Sequence, residues 1–150
     1  MRTGSRIAVW LIFFWVALAG VLASAPAPWA AEPTAAENQA IRQVIERQLQ
    51  AFQRDDGEGA FVHAAPSIRA IFGTAERFMA MVRSGYAPVY RPREVEFRRR
   101  MEVEGKPAQE VFLVGPDGRP VIALYVMERQ ADGRWLIAGC YLLPAPDLSA

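Results

Sequence analysis

The stretch Arg93–Leu143 decides the fold, and it reads REVEFRRRMEVEGKPAQEVFLVGPDGRPVIALYVMERQADGRWLIAGCYLL. Apolar and charged residues alternate from Arg93 to Glu104, which is the period of a strand with one buried face. Three more apolar runs follow, at Gln109–Val114, Val121–Glu128 and Trp135–Leu143. Turn sequences separate the four runs: Gly105-Lys106, Gly115-Pro116-Asp117-Gly118 and Ala131-Asp132-Gly133. Strands joined by tight turns predict an antiparallel meander.

Upstream of this stretch the apolar pattern is helical. Five apolar residues recur at spacings of three and four, which places them on one helix face: Ile41, Val44, Ile45, Leu49 and Phe52. A broken helical stretch covers Glu58–Phe72, and a further helix runs from Thr74 to Gly85. Helices followed by hairpins predict an α+β domain, with N-terminal helices packed on a curved four-stranded antiparallel meander.

The first 30 residues carry a targeting pattern. Arg2 and Arg6 precede the uncharged run Ile7–Leu22, and small residues and prolines follow it. This predicts a secretory signal peptide, while retention as an N-terminal membrane anchor stays open. The predicted division of the chain is a signal peptide or anchor at 1–30, a linker at 31–36, a single α+β domain at 37–144 and a tail at 145–150. We expect the domain to be exported, to the periplasm or the medium.

Composition excludes several classes of protein. The 17 basic and 16 acidic residues nearly balance, so there is no electrostatic case for nucleic acid as a partner. Cys140 is the single cysteine, which excludes an intramolecular disulfide. With His63 as the only histidine, a zinc site built from cysteine and histidine is excluded too. We expect no metal and no cofactor, and a membrane as partner only if the N-terminal segment is retained.

Several short motifs carry a resemblance to a known family. They are Ala65-Pro66-Ser67-Ile68, Phe72-Gly73-Thr74, Phe78-Met79, Val89-Tyr90-Arg91-Pro92 and Trp135-Leu136-Ile137-Ala138-Gly139-Cys140. On these motifs the segment Glu37–Pro144 resembles the bacterial family called domain of unknown function 4864, which has no assigned activity. The order of elements is similar to the cone-like fold of nuclear transport factor 2. That likeness implies a pocket between helices and sheet, but the fold hosts enzymes and binding modules alike.

Arg99 is the most informative candidate for ligand binding. Strict alternation places it on the apolar strand face with Phe97 and Met101, where an unpaired charge is costly. One interpretation puts Arg99 inside the pocket, facing an anionic ligand or an internal carboxylate. The other is a β-bulge within Arg98-Arg99-Arg100 that turns Arg99 outward.

Four aromatic residues are the remaining ligand-binding candidates. Tyr86, Tyr90 and Tyr125, together with Trp135, would line a cavity if the fold is cone-like. The alternative is that these rings fill the layer between the helices and the sheet.

Candidates for catalysis are weak. His63 is the only imidazole available for acid–base chemistry, and its alternative is a partly exposed helix residue. Asp55 and Asp56 could form a carboxylate pair, or Asp56 could cap the helix that follows. Cys140 lies in the middle of a strand, where a thiol behaves as a small apolar residue.

These patterns favour an exported, non-catalytic module that binds a small ligand or another protein. One alternative is a small-molecule enzyme of the isomerase, dehydratase or hydrolase type, using His63 or the Asp55 and Asp56 carboxylates in the cavity. Another is a structural homodimer that pairs through the sheet face, because Val121–Glu128 is apolar on both sides.

Overall fold

A computed structural model describes residues 34–146. Within them, five helices precede four strands: α1 (Ala35–Gln53), α2 (Gly57–Phe61), α3 (Pro66–Phe72), α4 (Ala75–Gly85), α5 (Ala87–Tyr90), β1 (Glu94–Val103), β2 (Lys106–Val114), β3 (Pro120–Arg129) and β4 (Trp135–Pro144). The predicted α+β class is confirmed. The predicted signal peptide or anchor lies outside the described residues. Among residues 34–146, no helix has the length and hydropathy needed to cross a membrane.

The first helix begins at a capping box. The hydroxyl of Thr34 accepts the Glu37 N–H at 3.2 Å, and the Glu37 carboxylate accepts the Thr34 N–H at 2.9 Å. Both bonds satisfy amide groups that have no partner inside the helix. The apolar stripe of α1 then packs towards the sheet, with Ile41 and Ile45 fully buried.

The sheet is the predicted antiparallel meander, with strand order β1-β2-β3-β4. Each hairpin contains one glycine with a positive φ, at 75° for Gly105, 79° for Gly118 and 85° for Gly133. Glycine adopts this left-handed conformation without steric cost, which explains why these turn sequences direct the chain back.

Strand β1 contains a β-bulge. Phe97 pairs with Val111 and Arg100 pairs with Gln109. Between these pairs β1 has two residues where β2 has one, so β1 contains one extra residue. The buried Gln109 carboxamide provides hydrogen bonds to backbone carbonyls of the bulge. Its Nε2 donates to the carbonyl of Arg98 at 2.8 Å and to that of Arg99 at 3.4 Å. The bulge changes which arginine faces the helices.

Arg99 points outward and its side chain is 76% exposed, with Nε at 3.0 Å from the Glu110 carboxylate. Arg100 takes the position directed at α1, where its Nη1 donates to Oδ1 of Asn38 at 2.7 Å. The bulge interpretation is therefore confirmed. The expectation that Arg99 faces into a pocket is wrong, because the extra residue inverts the alternation beyond it.

The core lies between the helices and one face of the sheet, which we call the inner face. Its fully buried sheet residues are Val111, Leu113, Ala123, Tyr125 and Met127. The opposite, outer face also buries apolar residues in the middle of the sheet, at Ala108, Leu124 and Val126. Burial of β3 residues on both faces agrees with its apolar sequence, and a homodimer through the outer face stays a prediction.

Candidate functional site

A cavity of about 450 Å³ lies between the helices and the inner face of the sheet. Its walls, as far as residues 34–146 show them, combine helical, loop and strand residues: Gln48, Phe52, Ala64, Ile68, Ile71, Phe72, Phe78, Met81, Val82, Tyr86, Val89, Tyr125, Ile137, Ala138, Gly139, Cys140 and Tyr141. Most of these side chains are aliphatic or aromatic. That is the composition expected of a small-molecule pocket, in which a few polar groups set orientation.

The cavity runs from the core to the surface. Its deep end includes Tyr125, with no exposed surface, and Gln48, which is 3% exposed. Its mouth includes Ile71 and Tyr141, which are 73% and 50% exposed. The wall therefore combines fully buried residues with solvent-exposed ones.

Helix α3 forms one side of the mouth. It begins with Pro66 and ends before Gly73, whose φ of 73° only glycine adopts freely. None of its residues is buried, and Ile68 and Phe72 pack against the core from partly exposed positions. This helix therefore covers the cavity with few side chains.

The loop before α3 is fixed to the sheet. The N–H of Ile137 donates to the His63 carbonyl at 2.9 Å, and the N–H of Ala65 donates to the Ile137 carbonyl at 2.8 Å. Ala64 thereby forms a parallel bridge with β4. These bonds determine where α3 starts and bring Ala64 into the cavity wall.

Two polar side chains of the wall already have protein partners. The Tyr86 hydroxyl donates to the Cys140 carbonyl at 3.1 Å. The Gln48 Nε2 donates to the Ala60 carbonyl at 3.2 Å. These two bonds to backbone carbonyls fix the side chains, so the positions of Tyr86 and Gln48 do not depend on a ligand.

The Tyr125 hydroxyl differs from these groups. It is buried and has no hydrogen-bond partner among the described residues. Burial raises the pKa of this phenol well above its ordinary value, so it stays protonated at neutral pH. It is therefore a neutral group, on a residue of the cavity wall, that can both donate and accept a hydrogen bond.

Cys140 is paired with Tyr125 across the β3–β4 ladder and also lines the cavity. Burial raises the pKa of its thiol to about 12. The thiolate is the reactive form of cysteine, so at neutral pH this thiol is a poor nucleophile.

The structure brings only part of the predicted site together. Tyr86 and Tyr125 line the cavity, whereas Arg99, Tyr90 and Trp135 are absent from its described wall. Trp135 instead has the guanidinium of Arg129 at 6.0 Å from its ring centre. Sequence alone did not identify Gln48 as a wall residue. The signal was a polar residue at helical spacing among the apolar residues of the α1 stripe.

Tyr90 belongs to a separate surface cluster around Asp55. Its hydroxyl donates to Asp55, and the same carboxylate lies 2.7 Å from Nη2 of Arg91 and 3.4 Å from Nη2 of Arg83. The Tyr90 hydrogen bond is the main cause of the lowered pKa of Asp55, and Arg91 adds to it. The cluster joins the turn after α1 to α4 and α5, and none of its residues belongs to the described cavity wall.

Asp56 and His63 also lie outside that wall. The Asp56 carboxylate accepts the Gly59 N–H at 2.8 Å, which confirms its interpretation as the cap of α2. Its neighbour Asp55 has different partners, so the two do not act as a carboxylate pair. Burial, and to a lesser degree Arg47, lowers the pKa of His63, so this half-buried imidazole is neutral at neutral pH.

No metal site is formed by the described part of the chain. Within residues 34–146, no three histidine, cysteine, aspartate or glutamate side chains come together as ligands. The chemistry that the cavity wall offers is therefore hydrogen bonding by neutral groups and apolar contact.

The described residues define a class: a small α+β domain whose helices and antiparallel meander enclose a largely apolar cavity. The chain belongs to the family described as Domain of unknown function (DUF4864), which matches residues 34–150. It is also similar to a solved structure from Burkholderia xenovorans LB400, an NTF-2 like protein of unknown function. That likeness has 19% sequence identity and a TM-score of 0.43, and covers 73% of this chain and 90% of the other. No curated protein matches the chain.

Proposed function

We propose that this domain is a non-catalytic binding module that takes a small molecule into its cavity. The observation that carries the proposal is that Tyr125, a residue of the cavity wall, has a buried hydroxyl with no hydrogen-bond partner among the described residues. An unpaired buried hydroxyl costs about 1–3 kcal/mol, and native proteins satisfy nearly all such groups. A bound molecule would supply the missing hydrogen bond.

The dimensions of the cavity support this proposal. A volume of about 450 Å³ falls within the range of roughly 300–1,000 Å³ that is usual for small-molecule pockets. The wall also has the usual chemistry of such pockets, with aromatic residues such as Phe52, Phe72 and Phe78 surrounding a few polar groups.

The titratable groups favour binding over catalysis. A general base must reach the substrate and have a pKa near the working pH. The described wall contains no carboxylate and no imidazole, and burial raises the pKa of both Tyr125 and Cys140. His63, Asp55 and Asp56 do not reach the cavity wall, which counts against the enzyme alternative.

Blocking the cavity tests the proposal. We expect Cys140→Phe to raise the dissociation constant of the neutral apolar dye N-phenyl-1-naphthylamine by about tenfold or more, because the new ring occupies space beside Tyr125. Dye fluorescence measures binding. Near-ultraviolet circular dichroism checks folding, and Met81→Trp is a second blocking variant from a partly exposed wall position.

Val62→Phe is the matched control for this experiment. It adds a ring of the same size at a 53% exposed position outside the described cavity wall. We expect it to bind the dye as the wild type does. Unchanged dye binding in folded Cys140→Phe and Met81→Trp would refute the proposal.

We also propose that the domain is exported. The support is the leader pattern of Arg2 and Arg6 followed by the uncharged run Ile7–Leu22. In fractionated bacteria we expect the protein outside the cytoplasm, and N-terminal sequencing of it distinguishes a cleaved signal peptide from a retained anchor. Recovery of the intact chain from the cytoplasm alone would contradict export.

A further inference from the structure

We propose that the ligand is an uncharged, mostly apolar molecule that enters with a hydroxyl or carbonyl group foremost and hydrogen-bonds to Tyr125. This inference rests on the proposed function and adds the chemical class and the orientation of the ligand. It comes from three observations: the charges absent from the wall, the free hydrogen-bonding groups at the deep end, and the apolar mouth.

The wall excludes a charged ligand. Among the described residues that line the cavity there is no lysine, arginine, histidine, aspartate or glutamate. A charge that leaves water for such a site without an opposite charge pays a large desolvation cost. The charged candidates that the sequence offered lie outside the described wall and have partners there, since Arg99 pairs with Glu110 and Asp55 pairs with Arg91.

The deep end requires a polar group on the ligand. The Tyr125 hydroxyl has no described partner, and it can donate as well as accept. Gln48 uses its Nε2 on the Ala60 carbonyl, while no described residue donates to its Oε1. A ligand carbonyl can accept from Tyr125, and a ligand hydroxyl can use either residue because it has both a donor and an acceptor.

The mouth favours an apolar group at the other end of the ligand. Ile71 and Tyr141 are its exposed residues, and Phe72 and Met81 line the cavity from partly buried positions. Apolar ligand surface placed against these side chains leaves water, which supplies most of the driving force for association. The polar group of the ligand is therefore directed inward and its apolar body outward.

Three probes of one ring system test this inference: 2-naphthol carries a hydroxyl, naphthalene has no polar group, and 2-naphthoate carries a charge. Isothermal titration calorimetry measures their affinities for the wild-type chain. We expect 2-naphthol to bind more tightly than naphthalene, and 2-naphthoate to bind at least about tenfold more weakly than 2-naphthol.

Two tyrosine variants locate the hydrogen bond. In Tyr125→Phe we expect the advantage of 2-naphthol over naphthalene to fall by about threefold to tenfold, while naphthalene binds as before. Tyr90→Phe is the matched control, because Tyr90 lies outside the described cavity wall and its hydroxyl donates to Asp55, so that its loss should leave the advantage intact. Thermal unfolding of both variants verifies that they are folded.

The outcomes separate the two proposals. If the probes bind and Cys140→Phe weakens them, but 2-naphthoate matches 2-naphthol or the advantage survives in Tyr125→Phe, this inference is overturned and the binding function stands. If neither the dye nor any of the three probes binds, both proposals are overturned.

Discussion

Replacing Phe78 by alanine is expected to lower the free energy of unfolding by about 3–5 kcal/mol, the usual cost of removing a buried aromatic ring. Phe78 lies on α4 and is buried, with its ring centre 6.0 Å from that of Phe52, 5.3 Å from Phe61 and 5.6 Å from Phe72. Its ring therefore packs against α1, α2 and α3 at once. Urea unfolding followed by circular dichroism measures the change.

The cost should be at the high end of that range because Phe78 also lines the cavity. Deleting the ring enlarges a space that is already present, and the destabilisation grows with the volume left unfilled. Ile71→Ala is the control, since that side chain lines the same cavity but is 73% exposed, and it should cost less than about 1 kcal/mol. Equal effects of the two substitutions would show that the contacts of Phe78 with the three other phenylalanine rings do not stabilise the helical layer.

The second large effect is expected at Gln109, whose replacement by leucine should cost about 2–3 kcal/mol. Its buried Nε2 donates to the carbonyls of Arg98 and Arg99 and, at 2.9 Å, to that of Glu110. Leucine has a similar size but no donor, so these part-buried carbonyls lose their bonds. The free energy of unfolding in urea provides the measurement.

Gln50→Leu provides the comparison, because Gln50 is exposed on α1 and leucine and glutamine have similar helix propensities. We expect this control to lie within about 0.5 kcal/mol of the wild type. A Gln109→Leu protein as stable as the control would show that the carboxamide does not maintain the bulge in β1.

The strands and hairpins could be predicted from sequence because their causes are local. Alternation in Glu94–Phe97 and the glycines at Gly105, Gly118 and Gly133 act over a few residues, and all of them are visible in the printed chain. The same holds for the helical stripe of α1, in which Ile41 and Ile45 are buried. The family resemblance rested on comparably short motifs and is confirmed.

The arginine that faces the helices could not be chosen from sequence. Alternation alone selects Arg99, whereas one extra residue selects Arg100, and the sequence Arg98-Arg99-Arg100 looks the same in both cases. The bulge that selects Arg100 is hydrogen-bonded by Gln109, eleven residues from Arg98 along the chain and in contact with it only after β2 has paired with β1. A single shift of register moves every later side chain to the other face.

The cavity was predictable only in outline. Tyr86 and Tyr125 were among the candidates for its wall, and both line it. Tyr90 and Trp135 were equally plausible by residue type, but they lie in other surroundings. The contribution of α3 depends on the bonds between Ile137 and the segment before that helix, and pairing over so long a separation leaves no local signal.

The irregularities of β1 and β4 have a consequence for the behaviour of the protein in concentrated solution. These are the two outermost strands of the sheet, and each contains one extra residue. In β4 the extra residue is Ala138, which lies opposite Val126 and Met127. An extra residue interrupts the straight row of amides and carbonyls that another molecule would need for strand addition. The sheet thus resists growing edge to edge into aggregates, even though its central strands are rich in valine and other apolar residues.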